Sequence, residues 1–277
     1  MDLIVKPASL FFEKLSFSIY FCIFVSNMEN RYTKDNKYYQ ETIIPCYDAD
    51  ASFHLKPAAF MDLAQELAYW AAGELGFGFD DLQTHGTAWV LSRMHIRFTD
   101  MPLWRDKVRL ITWHKGLEGL FFLRDFRMED ETGKERVACT SSWLVVDAQT
   151  HRLMRSDRLE NMVQPDTQSP DNAIENSCPK VQLPRGVEAE KTGEHRVSYS
   201  DLDILGHTNN ARYVVWAMDC IDPAQTAGAR VKDLYINFIK ETRLGDVVEL
   251  FSVHDTDGWT VEGRVEGHPA FCARILF

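Results

Sequence analysis

Between Ser198 and Trp216 the chain reads SYSDLDILGHTNNARYVVW. In this short span Asp201, Asp203, Gly206, His207, Asn209 and Asn210 stand just ahead of a strongly apolar, aromatic segment. The types suit proton-transfer chemistry. An imidazole with an ordinary pKa of about 6.5 exchanges a proton near neutrality. A nearby carboxylate can orient that ring and stabilise its charged form. The start of a helix carries unsatisfied N–H groups and the positive end of the dipole, which together favour developing negative charge. A glycine lets a reacting group come close to the backbone. The same residues also have a plain structural reading, in which Asp203 makes a turn and Asn209 or Asn210 caps a helix. Residue types alone leave both open.

The elements around this cluster follow from periodicity. Asn209 or Asn210 starts a helix that runs to about Cys220, with Tyr213, Trp216, Ala217 and Cys220 on one face. Val214 and Val215 lie elsewhere on it, so the helix is expected to be buried on most sides. Strands are expected at 235–239, 247–254, 259–265 and 271–276. Upstream, Pro57 suits a first helical position, Phe60, Leu63, Leu67, Ala71 and Leu75 recur at helical spacing, and Gly76 suits the end. Residues 93–98 alternate polar and apolar as a half-buried strand does, with further strands at 107–113, 120–128 and 136–146. The polar run Asp130 to Lys134 separates the last two as a hairpin turn.

The two regions repeat one another. Asp48, Asp50, His54 and Phe60 have the spacing of Asp201, Asp203, His207 and Tyr213, and HIRFTDMPLWRDKVRL resembles YINFIKETRLGDVVEL further on. Two matches in the same order indicate duplication of a half of about 110–140 residues, an ordinary domain size. One helix followed by a run of strands in each half is an α+β pattern with an antiparallel sheet. The divisions read from the chain are an extension over 1–27, a first half over 28–155, a polar, Pro-containing linker over 156–190, and a second half over 191–277.

Hydrophobic residues make up 45% of the chain and charged residues 26%, enough apolar material for a sizeable core. A net charge of −11 argues against a general nucleic-acid binder. The six cysteines form no CxxC pair, which points to a reducing, cytoplasmic setting and no metal site. The apolar run Leu15 to Val25 is shorter than the about 20 residues a spanning helix needs, so no stable membrane insertion is expected. It could serve as a signal-peptide core, but Met28 opens a polar start and is favoured as the working beginning of the protein.

DLDILGHTNNARYVVW resembles the signature of the plant and bacterial acyl-acyl carrier protein (acyl-ACP) thioesterases. TAWVLSRMHIRF, MPLWRDKVRLITW, FFLRDFRMED and SSWLVVD resemble that family's N-terminal half. The resemblance covers about Tyr38 to the C-terminus. It implies two tandem hotdog domains, each a long helix wrapped by a curved antiparallel sheet. It implies hydrolysis of the thioester between a fatty acyl chain and acyl carrier protein, with no metal or organic cofactor. Residue by residue, Asp203 and His207 fall on the family's Asp and His, and Glu241 in FIKETRLGD on its acidic residue. Thr242 stands where plant members often carry Cys, so no cysteine nucleophile is available there. Leu205 replaces the family's Asn, which removes a polar side chain from the thioester.

On this reading His207 and Glu241 activate water and Asp203 supports them. Glu241 is the stronger direct base if it is buried. Backbone N–H groups around Gly206, Thr208 and Asn209 meet the oxyanion. In the first half Met101 takes the place of Glu241, so that half is a poorer catalytic site and instead shapes the acyl pocket, with Leu63, Leu67, Trp89 and Met94 as lining and Leu205 at the thioester end. An acidic carrier protein needs a local basic patch on this acidic chain, for which Arg93, Arg97, Lys107, Arg109, Arg124 and Arg127 are candidates. An acyl-CoA thioesterase on the same fold, and a non-catalytic acyl-binding or regulatory protein, remain alternatives. The functional unit is a monomer containing a pseudo-dimer, or a homodimer.

Overall fold

The computed structural model describes residues 33, 35–154, 165–226 and 228–277. The extension over 1–27, the start at Met28 and the first part of the linker lie outside the described residues. Ten strands form one antiparallel sheet. The first half supplies β1 (Tyr38–Ile43), β2 (Thr87–Phe98), β3 (Lys107–Glu118), β4 (Phe121–Asp130) and β5 (Glu135–Asp147). The second supplies β6 (Glu190–Arg196), β7 (Asp233–Phe238), β8 (Val247–Asp255), β9 (Gly258–Val265) and β10 (His268–Leu276). The spatial order is β1-β3-β4-β5-β2-β7-β10-β9-β8-β6, so the five strands of each half stay together. The halves meet where β2 pairs with β7, with Met94 opposite Ile236.

Among the described residues, three α-helices pack on the sheet, one of them short. In α1 (Pro57–Glu74) proline supplies the fixed φ of a first turn, and Gly76 reverses the chain just past the end at φ 76°. The helix α2 (Phe79–Thr84) was not foreseen; the Gly78 N–H donates to the Asp81 carboxylate at 2.9 Å and closes its first turn. In the second half α3 (Asn210–Asp219) begins at Asn209, whose side chain accepts from the Ala211 N–H at 2.9 Å. This helix is ten residues long, so the expectation of a long helix in each half holds for α1 alone. Ala211, Tyr213, Val214, Trp216 and Ala217 are all buried, which is why its sequence is apolar on most sides.

One hydrophobic core runs through both halves, from Phe60, Leu67 and Met94 to Trp216, Leu234 and Phe271. A second, smaller cluster of Ala72, Phe77, Leu82, Phe122 and Val145 belongs to the first half alone. The strands bend at register shifts, such as Leu91/Arg93 in β2 and His114/Gly116 in β3. A helix cradled by five curved strands, twice over, is the tandem hotdog arrangement.

The described part of the linker, from Pro165 on, is more than a connection. It crosses the back of the sheet as a strap, with Ile174 and Cys178 buried. The Ala173 N–H donates to the fully buried Asp125 carboxylate at 2.7 Å, the Trp113 indole to the Asp171 carbonyl at 2.7 Å, and the Val181 N–H to the Asn237 side chain at 2.6 Å. The strap is mostly exposed, and its proline-broken backbone is tied down where the sheet supplies these partners.

Candidate active site

The Asp203–Gly206 turn is built by its own carboxylate. Asp203 Oδ1 accepts from the Leu205 N–H at 2.8 Å and the His207 N–H at 3.2 Å. The Asp203 N–H donates to the His207 carbonyl at 2.8 Å, and Gly206 takes a φ of 75°. Asp203 therefore shapes the loop, and its carboxylate meets the backbone N–H of His207 rather than the ring. Gly206 serves the positive φ rather than relieving a clash within the protein, since a Cβ there would meet nothing within 4 Å.

The ring of His207 instead meets Glu241. His207 Nδ1 lies 3.4 Å from Glu241 Oε2, with side-chain exposures of 31% and 38%, while Glu241 Oε1 pairs with the Arg243 guanidinium at 2.6 Å. An isolated antiparallel bridge between His207 and Arg243 brings these distant segments together. Behind it, the Thr208 and Thr242 hydroxyls lie 2.7 Å apart, and the Tyr213 hydroxyl is 3.0 Å from that of Thr242 and accepts the Thr242 N–H at 3.0 Å. Thr242 is fully buried in this web. Burial raises the Tyr213 phenol above its ordinary pKa, only partly offset by its bonds to Thr242, so it stays protonated.

The expected backbone oxyanion site is not available. The Gly206 N–H goes to the Asp203 carbonyl at 3.1 Å, the Thr208 N–H to the Thr242 carbonyl at 3.1 Å, and the Asn209 N–H to the Asp201 carbonyl at 2.8 Å. With Leu205 and His207 bonded to Asp203, every N–H from 205 to 209 is already engaged. A tight turn consumes the donors that a free helix start would offer.

The first half repeats this scaffold without the acid. The Asp50 N–H bonds the His54 carbonyl at 2.8 Å, Asp50 Oδ1 accepts from the Ser52 and His54 N–H groups, and the Lys56 N–H reaches the Asp48 carbonyl at 2.9 Å. Phe53, at φ 68°, sits where Gly206 does. A bridge from His54 to Leu103 matches that from His207 to Arg243, which puts Met101 at the place of Glu241 and Pro57 at that of Asn210. His54 is buried, with Nδ1 3.9 Å from Asp50 Oδ1.

A cavity of about 470 Å³ joins the second-half cluster to the first half. Its mouth holds Asp203, Leu205, His207, Asn210 and Glu241, and its wall is apolar, with Phe77, Leu82, Trp89, Leu91 and Phe122. Trp89 lies on this wall, its indole N–H donating to the Phe77 carbonyl at 2.9 Å, and Leu205 lies at the mouth. Leu63, Leu67 and Met94, expected as lining, are not on it. The lining stripe of α1 is Gln65, Ala68, Tyr69 and Ala72, whereas Leu67 points into the shared core and Leu63 packs against it. Met94 lies beyond the β2 bulge, in the β2–β7 joint, while residues 87–91 before it line the cavity. Phe77 and Phe122, which meet Trp89 edge-on, and the cavity-lining Phe79 are not among the expected lining residues; the Gly78-x-x-Asp81 helix start is the readable signal for this region.

His114 also lines the cavity and is buried. Burial first, then the Arg124 guanidinium beside it, hold its pKa down to about 4. It is neutral at working pH and stands among Phe77 and Phe122.

The basic patch read from the sequence is not free. Arg97 pairs with Asp233 at 3.2 Å, Lys107 with Glu131 at 3.2 Å, Arg109 with Glu41 at 2.7 Å and Arg127 with Glu135 at 2.8 Å. Arg93 lies over the Phe121 ring, and Arg124 is buried on the Thr112 hydroxyl. Among the described residues no cluster of His, Cys, Asp or Glu could hold a metal ion, and no helix is long and apolar enough to cross a membrane.

Comparison with known proteins matches this architecture. Residues 35–160 match the family model of the acyl-ACP thioesterase N-terminal domain, and residues 185–267 that of the C-terminal domain. The chain is 25% identical to the chloroplastic oleoyl-acyl carrier protein thioesterase of Coriandrum sativum, over 85% of this chain and 68% of that one. It is 26% identical to oleoyl-acyl carrier protein thioesterase 1 of Arabidopsis thaliana, over 85% and 70%. The fold is shared with an acyl-ACP thioesterase from Bacteroides thetaiotaomicron (TM-score 0.75, 21% identity, 88% and 98% covered). It is shared equally with the 12:0-ACP thioesterase of Umbellularia californica (TM-score 0.78, 20% identity, 88% and 98% covered). Two family models matched in order, one on each hotdog, place this chain in the acyl-ACP thioesterase family, a family of thioester hydrolases.

Proposed function

We propose that this protein hydrolyses fatty acyl-ACP, with the acyl chain in the first-half cavity and the thioester at His207. The observation that carries this is that one cavity has its apolar wall in the first half and His207 and Glu241 at its mouth. With Nδ1 facing Glu241, the imidazole presents Nε2 as general base to a water. The water oxygen attacks the thioester carbon as its proton moves to Nε2. Collapse of the tetrahedral intermediate breaks the carbon–sulfur bond, and the leaving thiolate takes the proton back. Glu241 orients the ring and supports its charged form. Its pairing with Arg243 and its exposure make it the weaker candidate for direct base. Asp203 acts through the loop it holds.

The carrier reading rests on the family and on the surface beside the mouth. Among the described residues Lys240 is exposed there with no ion-pair partner, next to the solvent-facing apolar side chains Ile204 and Leu244, while Arg243 is held by Glu241. That combination suits an acidic carrier better than the paired basic residues of the sheet. The β2–β7 joint supplies within one chain what two separate hotdogs would supply by pairing, so one chain is proposed as the functional unit.

The experiment is steady-state hydrolysis of ACP and CoA thioesters over acyl chains from C8 to C18. A higher kcat/KM for ACP esters is expected. Equal or greater kcat/KM for CoA esters would overturn the carrier assignment and leave the hydrolytic chemistry in place.

A further inference from the structure

We infer that the side-chain amide of Asn210 binds the thioester carbonyl oxygen, in place of the polar side chain that Leu205 lacks and of the backbone N–H groups that the turn consumes. This rests on the assignment of His207 as base. Hydrolysis needs a donor where negative charge develops on oxygen. Asn210 lies at the cavity mouth with His207 and Glu241.

The amide is aimed by a hydrogen-bond chain whose direction is forced. It begins at Asp62 of α1, a carboxylate that can only accept. Asp62 takes Asn209 Nδ2 at 3.1 Å and the Arg212 guanidinium at 3.0 Å. Asn209 must therefore present Oδ1 on its other side, where it caps Ala211 at 2.9 Å and accepts from Gln65 Nε2 at 3.3 Å. Gln65 must then present Oε1, which accepts from Asn210 Nδ2 at 2.8 Å. Each amide orientation follows from the one before, so Asn210 shows nitrogen rather than oxygen to this network. An amide nitrogen carries two protons; one is held by Gln65 and the second is available to substrate.

The duplicated half is an internal control. At the positions of Glu241 and Asn210 it carries Met101 and Pro57, so the half without the acid also lacks the amide donor. Gln65 comes from α1 of that same half, so the first hotdog positions a catalytic donor of the second. In this account Asn210 touches the substrate and Gln65 is a positioning residue.

The test is kcat and KM of Asn210→Asp on the acyl thioester the wild type cleaves fastest, beside His207→Ala and with thermal unfolding recorded for each. Asp keeps the size of Asn, removes the donor and is favoured at a helix start, so the fold is retained. The expected result is a loss in kcat of about 10²- to 10³-fold with KM little changed. Gln65→Leu, which removes the acceptor that holds the Asn210 amide, is expected to lower kcat as well, with KM little changed and the thermal melt intact. Wild-type kcat in a folded Asn210→Asp, with turnover lost in His207→Ala, would overturn the inference and leave the base assignment intact. Turnover retained in both would overturn the two together.

Discussion

On the proposed reading His207, Glu241 and Asn210 carry the chemistry, and the residues around them spend their polar groups on holding the loop. Asp203 is the clearest case. Its spacing to His207 is that of a catalytic pair, yet its carboxylate is bonded to the Leu205 and His207 N–H groups. Gly206 is similar. It lies in open space at φ 75°, and the first half folds the same turn with Phe53 at φ 68°. Replacing Gly206 with Ala is therefore expected to cost about 1–2 kcal/mol of stability through the left-handed backbone alone. Activity should stay close to wild type. A thermal melt paired with kcat checks this; an intact melt with activity lost would show instead that the thioester packs against that Cα.

At the scale of elements, the cavity wall is the part that carries a pH-dependent stability. His114 on β3 is buried among Phe77 and Phe122, with its pKa at about 4 against an ordinary 6.5. Its folded pKa is depressed, so below pH 6.5 the unfolded chain takes a proton that the folded chain refuses. Stability is then lost as pH falls from 6.5 to about 4, by about 3 kcal/mol for this group. The variant His114→Phe keeps the aromatic wall and removes the proton site. Denaturant melts across that pH range are expected to fall less steeply for the variant. Parallel slopes for the two proteins would contradict the burial account.

These same elements show what the sequence made legible. Periodicity located α1, α3 and eight of the ten strands, because each has one face on the core and repeats at its own period. It did not find β1, an edge strand with exposed positions, or β6, whose residues face mostly outward. The lining residues were hard to read for a related reason. Leu67 and Met94 have the composition of lining, but a cavity wall and a core are built from the same apolar types. Only the β2 bulge and the rotation of α1 decide which side chains reach the cavity. The oxyanion donors failed at sequence level because N–H groups have no residue identity, and their availability depends on the turn that forms.

At the scale of the whole molecule, the proposed reading makes the duplication a division of labour. One sheet runs through both halves across β2 and β7, one core joins them, and Asp62 and Gln65 of α1 tie into Asn209, Asn210 and Arg212 of α3. The repeat in Asp48, Asp50 and His54 was readable from spacing, and so was the loss of the acid at Met101. The same spacing puts Pro57, which has no side-chain amide, at the place of Asn210. The central claim is that the second half alone hydrolyses the thioester while the first holds the acyl chain. The measurement that tests it most directly is single-turnover hydrolysis of an acyl-ACP by His207→Ala and Glu241→Gln beside His54→Ala, all confirmed folded. The account predicts a loss of about 10²- to 10⁴-fold for His207→Ala, a clear loss for Glu241→Gln, and a rate near wild type for His54→Ala. A rate lost in folded His54→Ala, or kept in His207→Ala, would contradict it.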